Sequence, residues 1–105
     1  MGRIRLTGKE RATLRRQAHN LQPVAIVGRS GLTDAVRRHV AHELDQHELI
    51  KVRFTDHKEE TRAITQQVGD ELEATVVEVI GHVGILYRRA PDSSDRHRFD
   101  GIITG

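Results

Sequence analysis

A chain of 105 residues with no cysteine, 17 Lys/Arg, 15 Asp/Glu and a formal charge of +2 is one domain of ordinary size. It is long enough to close a modest core without metals or disulfides. The missing cysteines exclude a disulfide framework, a thiolate nucleophile and a Cys-ligated zinc, no apolar run approaches the roughly 18 residues of a membrane span, and the basic start MGRIRLTGKER has no h-region behind it. A cytoplasmic protein, away from membranes, is expected.

TGKERATLRRQAH opens with Thr7 and sets Glu10 three residues later, the signature of a capping box. Leu14, Ala18 and Leu21 recur at helical spacing, so a first helix is predicted over 8–19, stopped by Asn20 and Pro23. VAIVG (24–28) is a short β-branched strand, apolar on both faces and therefore expected inside the sheet. After GRSG a second helix opens at Leu32 or Thr33 and runs to about His47, with Val36, Val40 and Leu44 as its buried stripe.

LIKVRF (49–54) alternates: Ile50, Val52 and Phe54 face the core, and Lys51 and Arg53 form a wet, basic face. Ile64, Val68 and Leu72 at i, i+4 and i+8 give a third helix despite Gly69. TVVEVI (75–80) and VGILYR (83–88) around Gly81-His82 read as a hairpin. Residues 91–105 lose all periodicity and read as a mobile tail, leaving 1–90 as the folded unit. The order α–β–α–β–α–β–β predicts a single-domain α/β sandwich with a four-stranded mixed sheet.

Charge is unevenly spread. Residues 1–40 carry nine Lys/Arg against two acids, a balance of +7, and residues 41–78 carry four bases against ten acids, or −6. A small domain with one strongly positive end can attract a polyanion while staying near neutral overall.

The loop Gly28-Arg29-Ser30-Gly31, between a strand and a helix, is the sharpest feature. Glycine lets the backbone take φ > 0 and lets a ligand approach closely. The N–H groups at the following helix start favour an anion, Arg29 can fork onto phosphate, and Ser30 adds a hydroxyl donor. A GxxG loop that clamps a nucleic-acid backbone is the device of the KH module. The loop lacks the Lys-Ser/Thr of a nucleotide P-loop and the three-glycine dinucleotide fingerprint, so no small-molecule substrate or nucleotide cofactor is expected. A plain tight turn also needs these glycines, and the four letters alone do not decide between the two.

His39, Glu43 and His47 share a face of the second helix, but the order HVAHE is neither H-E-x-x-H nor its inverse, so no metal is expected. No serine, histidine or carboxylate stands in a nucleophile elbow or a paired-carboxylate setting, and no catalytic residue is assigned. Aromatics are scarce: Phe54 belongs to the core, Phe99 to the tail, and Tyr87 to core or rim. Without aromatic platforms, RNA contacts should go mainly to phosphate and sugar.

LTGKERATLRRQAHNLQPVAIVGRSGLTDAV, then HELIKVRF and VIGHVGILYRR, together resemble the YhbY family of small bacterial CRM-domain proteins (chloroplast RNA splicing and ribosome maturation), over residues 6–89. The resemblance implies a fold similar to the C-terminal domain of translation initiation factor three, no catalytic activity, and association with large ribosomal subunit precursors. It places the family's GxxG loop on Gly28, Arg29, Ser30 and Gly31. Two departures stand out: GDELEATVVEVIG lacks a small-residue turn after the third helix, and nothing beyond Arg89 matches.

The expected RNA-binding set is therefore Gly28–Gly31 with Arg37 and Arg38, Lys9, Arg15 and Arg16, and Lys51 and Arg53, in a monomer. Lys51 reaches RNA only if no helix covers its face. The competing readings are a protein-interaction module that meets a basic ribosomal protein through the acidic third helix (Glu59, Glu60, Asp70, Glu71, Glu73), and a phosphate-dependent enzyme built around the loop.

Overall fold

A computed structural model describes residues 4–91 and 93–103. Three helices and four strands follow in the order α1 (Gly8–Ala18), β1 (Ala25–Val27), α2 (Asp34–His47), β2 (Leu49–Phe54), α3 (Thr61–Leu72), β3 (Thr75–Ile80) and β4 (Val83–Tyr87), with a 3-10 turn Lys58–Glu60 before α3. The caps are those written in the sequence. Thr7 and Glu10 exchange backbone and side-chain bonds at the start of α1 (3.1 and 2.9 Å), and the Thr33 hydroxyl accepts from Val36 N at 3.2 Å.

The mixed sheet has the order β1-β2-β4-β3: β1 runs parallel to β2, and β4 pairs antiparallel with β2 and β3. β1 is thus an edge strand, not the interior one that its composition suggested. Ala25 and Val27 are buried, but Ile26 points the other way and stays 55% exposed. Three apolar residues in a row are too few to show alternation, so their composition alone does not separate a one-faced edge strand from a buried one.

Strand alternation splits the core into two clusters, one on each face. Val27, Val40, Leu44, Ile50, Val52, Phe54, Val68 and Leu86 pack between the sheet and α2 and α3. Leu14 and Ala18 of α1 pack over Leu49, Val77, Ile85 and Tyr87 on the opposite face. Gly84 makes the first face close tightly, because a Cβ there would lie 2.6 Å from Cγ2 of Thr65 on α3.

A bulge at Val76/Glu78 breaks the β3–β4 register, and Arg11 of α1 donates to the carbonyls of Val76 and Val77, each at 2.8 Å. After α3 the chain turns at Glu73 in the left-handed region (φ 55°, ψ 37°), with Ala74 N donating to Gly69 O at 2.8 Å. The small-residue turn missing from the sequence is replaced by this left-handed glutamate and by a glycine inside the helix, where a Cβ would sit 3.0 Å from the Ala74 carbonyl.

The segment after β4 carries no helix or strand among its described residues, but it is not detached, as a mobile tail would be. Phe99 and Ile103 are buried in the α1-side cluster, and Phe99 meets Tyr87 edge-on with centroids 5.9 Å apart. Glu48 holds this return. It turns α2 into β2 at φ 64°, a region that favours glycine, and is fully buried. Its carboxylate accepts from Ala90 N at 2.6 Å and Arg98 N at 2.7 Å. His97 Nδ1 stands 3.3 Å from Glu48 Oε2 without hydrogen-bond alignment, so the two backbone donors are the ties. Isolated apolar residues at 99, 102 and 103 have no period, and for that reason the packing escaped the sequence reading. No described helix is long and apolar enough to cross a membrane.

Candidate nucleic-acid interface

β1 and β2 run parallel, so the loop after β1, the turn after β2 and the β3–β4 hairpin gather at one end of the sheet. At that end Gly31 N donates to Gly28 O at 3.0 Å, closing a four-residue turn, and Gly31 takes φ 72°, a conformation that needs glycine. Arg29 and Ser30 form the exposed tip. Their N–H groups donate to nothing among the described residues, nor does the Arg29 guanidinium.

The turn after β2 braces this loop. Thr55 N extends the parallel ladder to Val27 O (3.0 Å), and His57, at φ 52°, brings its ring under the loop. His57 Nε2 bonds the Arg29 carbonyl at 2.9 Å, and Nδ1 lies 3.6 Å from Glu60. The Arg29 carbonyl holds the His57 pKa above the ordinary histidine value, and Asp56 and Glu60 add to this against partial desolvation. Sequence reasoning missed His57, because nothing local ties residue 57 to residue 29.

The candidate cations fall on both layers of the sheet. Lys51 and Arg53 share the α1-side face of the sheet, as the alternation of β2 predicted. Arg53 is exposed, whereas α1 partly covers Lys51, whose Nζ donates to His19 O at 3.1 Å. Arg15 and Arg16 at the end of α1 line the same groove with His19 and Lys51, though Arg15 also pairs with Glu78 at 3.4 Å. Lys9 lies seven residues up α1 from Arg16, about 10 Å away along the axis and at the far end from the loop.

On the opposite layer, Arg38 is exposed and without a side-chain partner among the described residues. Arg37 is not available in the way the sequence suggested. Its guanidinium ties α2 to α3 through Glu71 (2.6 Å) and also bonds Asp34 and the Leu32 carbonyl. That bond holds the Glu71 carboxyl below its ordinary pKa and pushes Arg37 up. The two faces of the sheet thus differ in charge: basic on the α1 side, and acidic where α3 carries Asp70 and Glu71 and ends at Glu73.

Of the helix-two histidines, His39 Nε2 bonds the Val24 carbonyl at 2.7 Å, and His47 Nε2 lies 3.7 Å from Glu43. Among the described residues no group of three His, Cys, Asp or Glu side chains could hold a metal.

Residues 6–88 match the CRS1/YhbY (CRM) domain. The chain belongs to this family. Its relatives include an RNA-binding protein of Haemophilus influenzae, 36% identical over 89 residues, covering 84% of this chain and 90% of that one. The probable RNA-binding protein YqeI of Bacillus subtilis is 32% identical over 89 residues, covering 84% and 93% of the two chains. The fold is similar to the solution structure of a hypothetical protein from Staphylococcus aureus, at a TM-score of 0.73 and 26% identity, covering 87% of this chain and 96% of the other.

Proposed function

We propose that this CRM domain is a non-catalytic, monomeric RNA-binding protein of the cytoplasm that holds large-subunit precursor ribosomal RNA during ribosome assembly. The observation that carries the reading is the meeting, at one end of the sheet, of the exposed Gly28–Gly31 turn and the cations of the α1-side face. Relatives named for RNA binding support the ligand class, and the resemblance to the YhbY family supports the ribosomal setting.

In this reading the N–H groups of Arg29 and Ser30 and the start of α2 hold one phosphate. Arg29 pairs the next phosphate, and the Ser30 hydroxyl donates to phosphate or a 2′-OH. Arg53, Lys51, Arg16 and Arg15 track the strand along the α1 side, with Arg38 reached around the β1 edge and Lys9 only by a long segment. Arg37 positions α2 against α3 and leaves the phosphate set.

Crosslinking to RNA in cells, followed by sequencing, tests this with wild type and an Arg29→Asp, Ser30→Asp variant of confirmed fold. Large-subunit precursors that dominate the wild-type sample and vanish from the variant are expected. The same RNA from both would reduce Gly28–Gly31 to a plain turn and leave the binding to the α1-side cations, whereas none above background would overturn the reading and favour docking of a protein through the acidic face of α3.

A further inference from the structure

Paired residues on neighbouring strands point to the same face. Ile26 pairs with Arg53, Arg53 with Val83, and Val83 with Ile80, so these four form one row across all four strands on the α1 side. α1 covers the rows beneath, where Leu49, Ile85 and Tyr87 are buried, and its last residue Ala18 leaves this final row open. Ile26 and Ile80 are 55% and 54% exposed, two of only three large apolar side chains so exposed among the described residues. Three inter-strand steps of about 4.8 Å set them about 14 Å apart.

Beside the row a groove of about 440 Å3 opens, lined by Ile80 and Val83 and by Arg15, Arg16, His19 and Lys51. The row itself carries Arg53, with no side-chain partner among the described residues. It lies at the sheet end occupied by the Gly28–Gly31 turn, and Ile26 is two residues from Gly28.

From this juxtaposition we propose that the row Ile26–Arg53–Val83–Ile80 is a platform for the unstacked bases of single-stranded RNA whose phosphates lie on the turn and on the rim cations. The proposal rests on the RNA-binding reading above and narrows its ligand to unpaired segments. Charge complementarity selects the occupant. Three arginines and a lysine around an apolar strip call for a polyanion that also offers flat apolar faces. A duplex presents its backbone and would gain nothing from the isoleucines, whereas a single strand supplies phosphates and base faces together. Aliphatic side chains contact a base face without reading its hydrogen-bonding edge, so little base preference is expected from this row.

The test uses the full chain, a fluorescein-labelled pool of random 12-nucleotide single strands, an abasic ribose-phosphate strand of equal length, and bulk ribosomal RNA. An Ile26→Gln, Ile80→Gln variant, with fold verified by amide spectra, should lose roughly tenfold in affinity for the pool. Its affinity for the abasic strand should match that of wild type, and Arg53→Ala should weaken binding of both. Equal affinity of variant and wild type for the pool overturns the platform and leaves the row to an acidic, apolar protein segment. Equal losses on pool and abasic strand also overturn it. Wild-type binding of ribosomal RNA without binding of the pool removes the platform alone, and binding of neither removes the RNA reading with it.

Discussion

The imidazole of His57 and the carbonyl of Arg29 meet at 2.9 Å, across 28 residues of chain, and this bond braces the exposed turn from below. The carbonyl favours the protonated ring, so the folded pKa lies above the ordinary value of about 6.5. A raised pKa gives a contribution fully present below the unfolded value and lost as pH rises through the folded one. The part of wild-type stability that this contact supplies is therefore expected to fall across that window. His57→Gln should lose this part of the pH dependence. An NMR titration of the His57 ring that shows an unshifted pKa would contradict the assignment.

Arg37 and Glu71 link α2 to α3, which gives Arg37→Ala an outcome unlike that of the other arginines. The lowered Glu71 pKa means a contribution present above the ordinary glutamate range and lost as pH falls through the folded value. The gap in urea midpoint between wild type and Arg37→Ala should narrow as the solution is acidified. The salt slope of RNA binding should stay unchanged, and a fall of one in that slope would return Arg37 to the phosphate contacts.

Glu48 is the anchor of the C-terminal segment. Glu48→Ala leaves the N–H groups of Ala90 and Arg98 without their acceptor, at a cost of about 3 kcal/mol. Chemical denaturation reads the loss, and hydrogen exchange at those two amides should quicken more than at β2. Unchanged exchange at residues 90 and 98 would show that Phe99 and Ile103 hold the segment unaided.

Gly84 marks the closest approach of α3 to the sheet. Gly84→Ala drives a methyl group into Thr65 and should cost about 1–3 kcal/mol by denaturation. A second change, Thr65→Ala, should recover part of the loss, and a neutral Gly84→Ala would mean that α3 shifts freely.

The three helices, the hairpin and the GxxG turn were legible because each is written in a local pattern: the Thr7/Glu10 box, the Val36–Val40–Leu44 stripe, the alternation of residues 50–54 and the Gly81-His82 pair. What lay hidden depends on distant partners. Three residues of β1 could not reveal an edge position, so Ile26 looked like core. Arg37 looked like any exposed helix cation until α3 placed Glu71 against it. His57 joins the loop only because β2 runs parallel to β1 and delivers it there. The packing of Phe99 and Ile103 follows from a buried carboxylate 50 residues before Arg98, a relation that periodicity does not encode.

The central claim is that the Gly28–Gly31 turn and the α1-side cations hold RNA phosphates. Its most direct test is the salt dependence of RNA binding for wild type, Arg29→Ala and Arg53→Ala. The account predicts that log K falls steeply and linearly with log salt, and that the slope drops by about one in each variant. A flat response in the wild type, or a slope unmoved by both substitutions, would contradict it.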